Sequence, residues 1–179
     1  MAIYMIRHGK TMANIKKYFG GEDEPLLSMD EGTRRDLIER VGKLPISRIE
    51  ASPYKRTRQT AEVISRGLSI PIEIEPLIRE IGLGVLEGYT FEEASEIYGD
   101  ELKPWLEDPY REGPPEGESL NDVYNRAETF LKRVREDTLY VSHDGFIRAA
   151  ISVLKKDITQ FFEWRIDNLE IVDLSAFAH

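Results

Sequence analysis

The chain of 179 residues contains no cysteine. That removes disulfides, thiolate catalysis and Cys-ligated zinc or iron–sulfur centres together, and it fits a reducing compartment. Demanding chemistry therefore has to come from histidine, carboxylates, hydroxyls or a bound ion. Positive charge is also short: 24 Lys and Arg stand against 33 Asp and Glu, a formal net charge of −9. Neither nucleic acid nor an anionic membrane is expected as a partner, because both need a basic surface that neutralises phosphates. A small anionic substrate would need a local positive pocket inside an acidic field. No apolar run is long enough to cross a bilayer, and the opening residues lack the pattern of a signal peptide, so a cytoplasmic protein is expected. With 41% hydrophobic residues, the length suits one well-buried core, and a single domain over residues 1–179 is predicted.

What is present is an alternation of strands and helices. Ile3-Tyr4-Met5-Ile6 is a short apolar run that stops at Arg7-His8-Gly9, as a buried strand emptying into a functional loop would. Thr138 to Ser142 repeats the pattern and stops at His143-Asp144-Gly145. Between them, residues 33–44 carry Leu37, Ile38, Val41 and Leu44 on one helical stripe, and Arg48 to Ala51 reads as a strand. A helix follows Ser52-Pro53 with Thr57, Ala61, Ile64 and Leu68 inward and an end near Gly67; Ile72 and Ile74 mark another strand. Thr90 with Glu93 forms a capping box, and Ser119 opens a helix burying Leu120, Val123, Tyr124, Ala127, Phe130, Leu131 and Val134. A last helix over about 145–154 and a strand over 169–174 complete the reading. This rhythm predicts an α/β fold, a three-layer α-β-α sandwich around a central, mostly parallel sheet. Ligands bind beyond the C-terminal strand ends of such sheets, where both His8 and His143 fall although they stand 135 positions apart. The Pro/Gly-rich stretch 108–117 is read as a loop near the site. His179, the third histidine, is terminal and is read as a frayed end.

A neutral imidazole attacks phosphorus well when cations cancel the charge of the phosphoryl group. Arg7 and His8 sit together at a strand end, where backbone N–H groups around Gly9 could assist. The tripeptide alone fits a His-Gly turn beside a surface arginine equally well. The segment Ser52 to Ala61 follows a strand and opens a helix, so its amides and Arg56 can face an anion. Arginine suits this task because its planar fork grips two oxygens at once.

At this point the chain resembles the histidine phosphatase superfamily, which includes phosphoglycerate mutases and small phosphatases. Arg7 to Asn14 is similar to the opening R-H-G-x-T-x-x-N, Gly21 to Gly32 to the following D-x-P-L stretch, and Ser52 to Ala61 to S-x-x-x-R-x-x-Q-T-A. Glu80 to Gly88, Gly117-Glu118-Ser119 and Val141 to Arg148 match further segments in the same order. The resemblance implies the phosphoglycerate mutase-like fold and a catalytic set. His8 would become phosphohistidine, Arg7, Arg56 and His143 would hold the phosphoryl group, and Glu80 would serve as proton donor. It further implies substrate contacts from Asn14, Thr11, Gly9 and Asp144, with Thr11 and Ser142 fixing the imidazoles. No cofactor and no metal are implied. Glu80 is one of four carboxylates between Glu73 and Glu87, and only the resemblance prefers it.

Two departures stand out. Lys10 replaces an acid, which would add positive charge at the pocket mouth. Asp144 replaces a glycine and is expected to point away and bond locally. The expected activity is hydrolysis of a small phosphate ester, with a short lid over about 81–117 whose Tyr89, Phe91, Tyr98, Trp105 and Tyr110 either line the site or pack as helix faces on the core. Mutase-type transfer is the alternative; it is disfavoured because that cover holds only Lys103 and Arg111 against many acids. A non-catalytic phospho-ligand binding module is the reading from another class.

Overall fold

The computed structural model describes residues 2–178, so the expectation for His179 lies outside the described residues. Five strands form one sheet: β1 (Tyr4–Arg7), β2 (Arg48–Ala51), β3 (Ile72–Ile74), β4 (Thr138–Ser142) and β5 (Ile171–Asp173), in the spatial order β3-β2-β4-β1-β5. The first four are mutually parallel and β5 runs antiparallel to β1. The helices are α1 (Met12–Lys16), α2 (Glu31–Gly42), α3 (Lys55–Leu68), α4 (Phe91–Tyr98), α5 (Lys103–Glu107), α6 (Leu120–Leu131) and α7 (Asp144–Leu154).

Period-2 alternation along the strands makes the sandwich. On β1, Met5 enters one apolar cluster with Phe130, Tyr140 and Phe146, whereas its neighbour Ile6 enters another with Leu37, Ile49, Ala61 and Ile64. On β4, Tyr140 faces the first cluster while Leu139 and Val141 face the second. Helices α6 and α7 therefore cover one face and α2 and α3 the other. A third, smaller cluster of Leu86, Ala94 and Leu102 lies within the segment between Glu80 and Gly117.

The predicted capping box is present, Thr90 capping α4 with Glu93. Ser119 opens α6 as expected, and does so through a second box with Asp122. The end of α3 differs from the expectation. Gly67 lies inside the helix, which stops at Ser69 in a left-handed conformation (φ 55°). A Cβ at Gly67 would stand 2.5 Å from the Ile38 side chain, so the glycine serves the close approach of α2 and α3. On α6, Tyr124 is only half-buried and Arg126 takes a buried place that the apolar pattern does not mark.

Candidate active site

The pairing of β1 with β4 sets Arg7 opposite Ser142, so the next residues, His8 and His143, emerge side by side at the C-terminal edge of the sheet. Their ring centroids are 5.2 Å apart, edge to face. The backbone tie is direct, since the His8 amide donates to the Ser142 carbonyl at 3.0 Å. Arg56 reaches the same point from the first turn of α3, and Glu80 from the loop that follows the short 3-10 turn Pro76–Ile78. Arg7, His8, Arg56, Glu80, Asp144 and Arg148 share a cavity of about 420 Å³.

His8 is buried, and its Nδ1 lies 2.7 Å from the Gly9 carbonyl oxygen. A carbonyl only accepts, so Nδ1 carries the hydrogen and Nε2 presents its lone pair. That lone pair accepts from Arg56 Nε at 3.2 Å. Burial, with Arg56 and then Arg7 adding positive charge, lowers the His8 pKa to about 3; the Gly9 hydrogen bond opposes them. His143 is fully enclosed and is likewise driven well below its ordinary value, by burial first and then by Arg56. Its Nε2 pairs with the Ser52 hydroxyl at 2.8 Å, while its buried Nδ1 has no partner among the described residues. The buried Nε of Arg7 also has none, although Arg7 Nη1 donates to the Ile166 carbonyl at 2.6 Å.

Burial pushes the Glu80 carboxyl up, against the pull of Arg56 and the Ile81 amide; the nearby Asp144 charge acts in the same upward sense as burial. Glu80 lies against the start of α7, where a Cβ on Gly145 would stand 2.5 Å from its Oε1. Any side chain there would displace the carboxylate. The loop holding Glu80 is clamped by Arg126, which donates to the carbonyls of Leu77, Arg79 and Glu80 at 2.8, 2.8 and 3.2 Å. Glu118 balances that guanidinium at 2.8 Å, accepts from the Gly82 amide at 2.8 Å and pairs with Arg79. Sequence reasoning read Gly117-Glu118-Ser119 as a helix start and missed Arg126. The available signal was an arginine at a core-facing position of an otherwise apolar helical stripe.

Several expected contacts fall elsewhere. Thr11 and Ser142 bond to Asn14 and to the Ile78 carbonyl, and neither touches an imidazole; Gly9 and Ser52 fix the rings instead. The Gly9 amide donates to Thr60 and its carbonyl is held by His8 and Asn168, so its polar atoms are already paired. Asn14 lines the cavity with its Oδ1 accepting from Thr11 and from Asn168, a residue the sequence did not single out. Asp144 stands in the cavity wall, but its oxygens accept from the Ile166 amide at 2.8 Å and from Arg148 at 3.1 Å. Lys10 is exposed and lies off the cavity, on a neighbouring depression with Arg7, Lys17 and Arg165. Of the five expected lid aromatics only Trp105 lines the cavity; Tyr18, Phe19, Phe161 and Phe162 supply the rest.

Paired histidines with arginines at the C-terminal edge of a largely parallel sheet define an anion-handling α/β protein. The chain belongs to the histidine phosphatase superfamily (branch 1), whose family model matches residues 3–178. It is 30% identical over 173 residues to phosphoserine phosphatase 1 of Hydrogenobacter thermophilus, covering 93% of this chain and 82% of that one. It is 32% identical over 155 residues to the 6-phosphofructo-2-kinase/fructose-2,6-bisphosphatase of Gallus gallus, covering 84% of this chain and 32% of that protein. The α-ribazole phosphatase of Shigella flexneri shares the fold, with a TM-score of 0.85 at 23% identity over 96% of this chain and 88% of that one.

Two measurements follow from this geometry. Unfolded histidine binds a proton near pH 6.5 and folded His8 only near 3, so stability falls as pH drops through that window. Between pH 7 and pH 5 the His8 contribution is about 2 kcal/mol. Urea unfolding of His8→Gln should show a shallower loss over this interval; an unchanged loss would contradict the buried neutral imidazole. Arg126→Met takes the donor from three loop carbonyls and one of two arginines from Glu118, which keeps Arg79 and the Gly82 amide, and should cost about 3 kcal/mol. Arg126→Met with Glu118→Gln together should cost less than the sum of the two changes, and strict additivity would show that the clamp does not act as a unit.

Proposed function

We propose that the protein is a phosphomonoesterase that hydrolyses a small phosphorylated metabolite through a phosphohistidine on His8. The observation carrying this reading is the state of His8: neutral, fixed as the Nδ1–H tautomer by Gly9, with its Nε2 lone pair directed at a guanidinium. A bound phosphoryl oxygen takes over the Arg56 Nε hydrogen bond and frees that lone pair for attack on phosphorus. Arg7 Nε and His143 Nδ1, buried and without protein partners, are the groups left for the other oxygens. With the Ser52 hydroxyl donating to Nε2 of His143, its Nδ1 carries a hydrogen and donates as well.

In the first step the Nε2–P bond forms and the bond from phosphorus to the ester oxygen breaks. The departing oxygen takes the Glu80 proton, and Gly9 stabilises the positive imidazole through Nδ1–H. In the second step Glu80 takes a proton from water, the hydroxide attacks phosphorus, and the P–N bond returns its electron pair to His8. Burial suits Glu80 to this double use, because it keeps the carboxyl protonated above the ordinary range. Activity as acid is present below the raised pKa of Glu80 and lost as pH climbs through it. The segment over about 81–117 serves as the lid, packed on its own small cluster around Leu86. The relative named as a phosphoserine phosphatase supports hydrolysis as the outcome.

Phosphate release from p-nitrophenyl phosphate, without added metal, should vanish in His8→Ala. Glu80→Gln should lower kcat/KM, which reports the first step alone, far more for alkyl phosphates than for p-nitrophenyl phosphate, whose leaving group departs without a proton. Wild-type rates in His8→Ala would overturn the mechanism, and predominant isomerisation of 3-phosphoglycerate would replace hydrolysis by mutase-type transfer.

A further inference from the structure

The cavity has two unlike sides, and the position of Glu80 decides which one receives the leaving group. A proton donor must stand beside the ester oxygen, so the alcohol it serves extends past Glu80 rather than past Arg7. Ile81 and Leu83 follow Glu80 in the chain and line the cavity; Ile81 shares an apolar cluster with Leu120 and Phe161, Leu83 shares one with Trp105, and Phe162 stacks edge to face on Phe161. The charged groups there are already matched. Arg148 pairs with Asp144 at 3.1 Å, donates to the Phe161 carbonyl at 2.8 Å and lies over the Phe161 ring at 4.0 Å. Glu118, at the rim, is held by Arg126 and Arg79. The unpaired lysines near the site, Lys10 and Lys17, lie on the depression across Arg7 together with Arg165; that depression does not include Glu80.

We infer that this chamber takes the alcohol part of a phosphomonoester whose leaving group is apolar and uncharged, an aromatic or branched-chain alcohol in chemical class. The inference rests on the phosphatase reading above and narrows its substrate. A hydroxy-acid or amino-acid ester would bring a carboxylate against aromatic faces and beside the carboxylates of Asp144 and Glu118, where the described cations, Arg148, Arg79 and Arg126, are already paired with those carboxylates. An apolar group of moderate size removes the exposed ring of Phe162, which is 56% accessible, from water together with its own surface.

Alkyl esters of similar leaving-group reactivity provide the test. The kcat/KM for 2-phenylethyl phosphate should exceed that for O-phosphoserine, 3-phosphoglycerate and ethyl phosphate by at least tenfold. Phe162→Ala should reduce the ratio between 2-phenylethyl and ethyl phosphate to about two- or threefold, mostly through KM. Binding of 2-phenylethylphosphonate and ethylphosphonate, followed by calorimetry, reads the same preference without turnover. Tighter binding of the phenylethyl compound, weakened in Phe162→Ala, supports the chamber even if the phosphohistidine mechanism fails. Equal affinities, or faster hydrolysis of O-phosphoserine or 3-phosphoglycerate, overturn the inference and leave the phosphatase reading standing.

Discussion

The parallel pairing of β1 with β4 is the constraint on which the site depends. Arg7 stands opposite Ser142, and the His8 amide reaches the Ser142 carbonyl, so two histidines from opposite ends of the chain leave the sheet at one level. The register is held by what the strands bury. A slip of β1 by one residue would turn Ile6 from the α2–α3 side to the α6–α7 side and Met5 the other way, setting each against the wrong cluster. Packing on both faces thereby fixes the distance between the imidazoles, and the chemistry inherits a precision that no loop contact has to supply.

Enclosure then sets protonation. The same burial lowers the pKa of His8 and His143 and raises that of the Glu80 carboxyl, the directions that the proposed nucleophile and acid need. Arg56 reinforces the first effect and opposes the second. Glu80 is held in a defined place by the Arg126–Glu118 pair, Arg126 gripping the carbonyls of Leu77, Arg79 and Glu80 and Glu118 the amide of Gly82. These groups lie on α6 and at its start, so the helix that covers the core also positions Glu80.

Much of this was legible because local pattern and site chemistry coincide. The apolar runs ending at His8 and His143, the stripe of α3 and the capping residues Thr90 and Ser119 each follow from short-range physics. What escaped depends on tertiary contacts. Gly67 looked like a helix end, but its function is to let Ile38 approach. Thr11 and Ser142 looked like ring-fixing hydroxyls because of their neighbours in sequence, whereas Ser52, far from His143 in sequence, makes that bond. The lid aromatics were chosen by composition, yet Tyr89 and Phe91 are exposed and Phe161 and Phe162 enter from a 3-10 segment near the C-terminal end. The stripe of α6 marks Arg126 as core-facing, but not what it holds, because three of its bonds go to backbone carbonyls that carry no sequence signature.

The central claim is that the phosphoryl group passes through nitrogen on His8. Rapid mixing with a fast substrate, quenching in alkali and mass spectrometry of the digested protein tests it most directly, since a phosphorus–nitrogen bond survives base and is lost in acid. The account predicts an acid-labile phosphoryl group on the peptide carrying His8, appearing faster than steady-state turnover and absent from His8→Ala. Steady hydrolysis with no such adduct, or label on another residue, would contradict it.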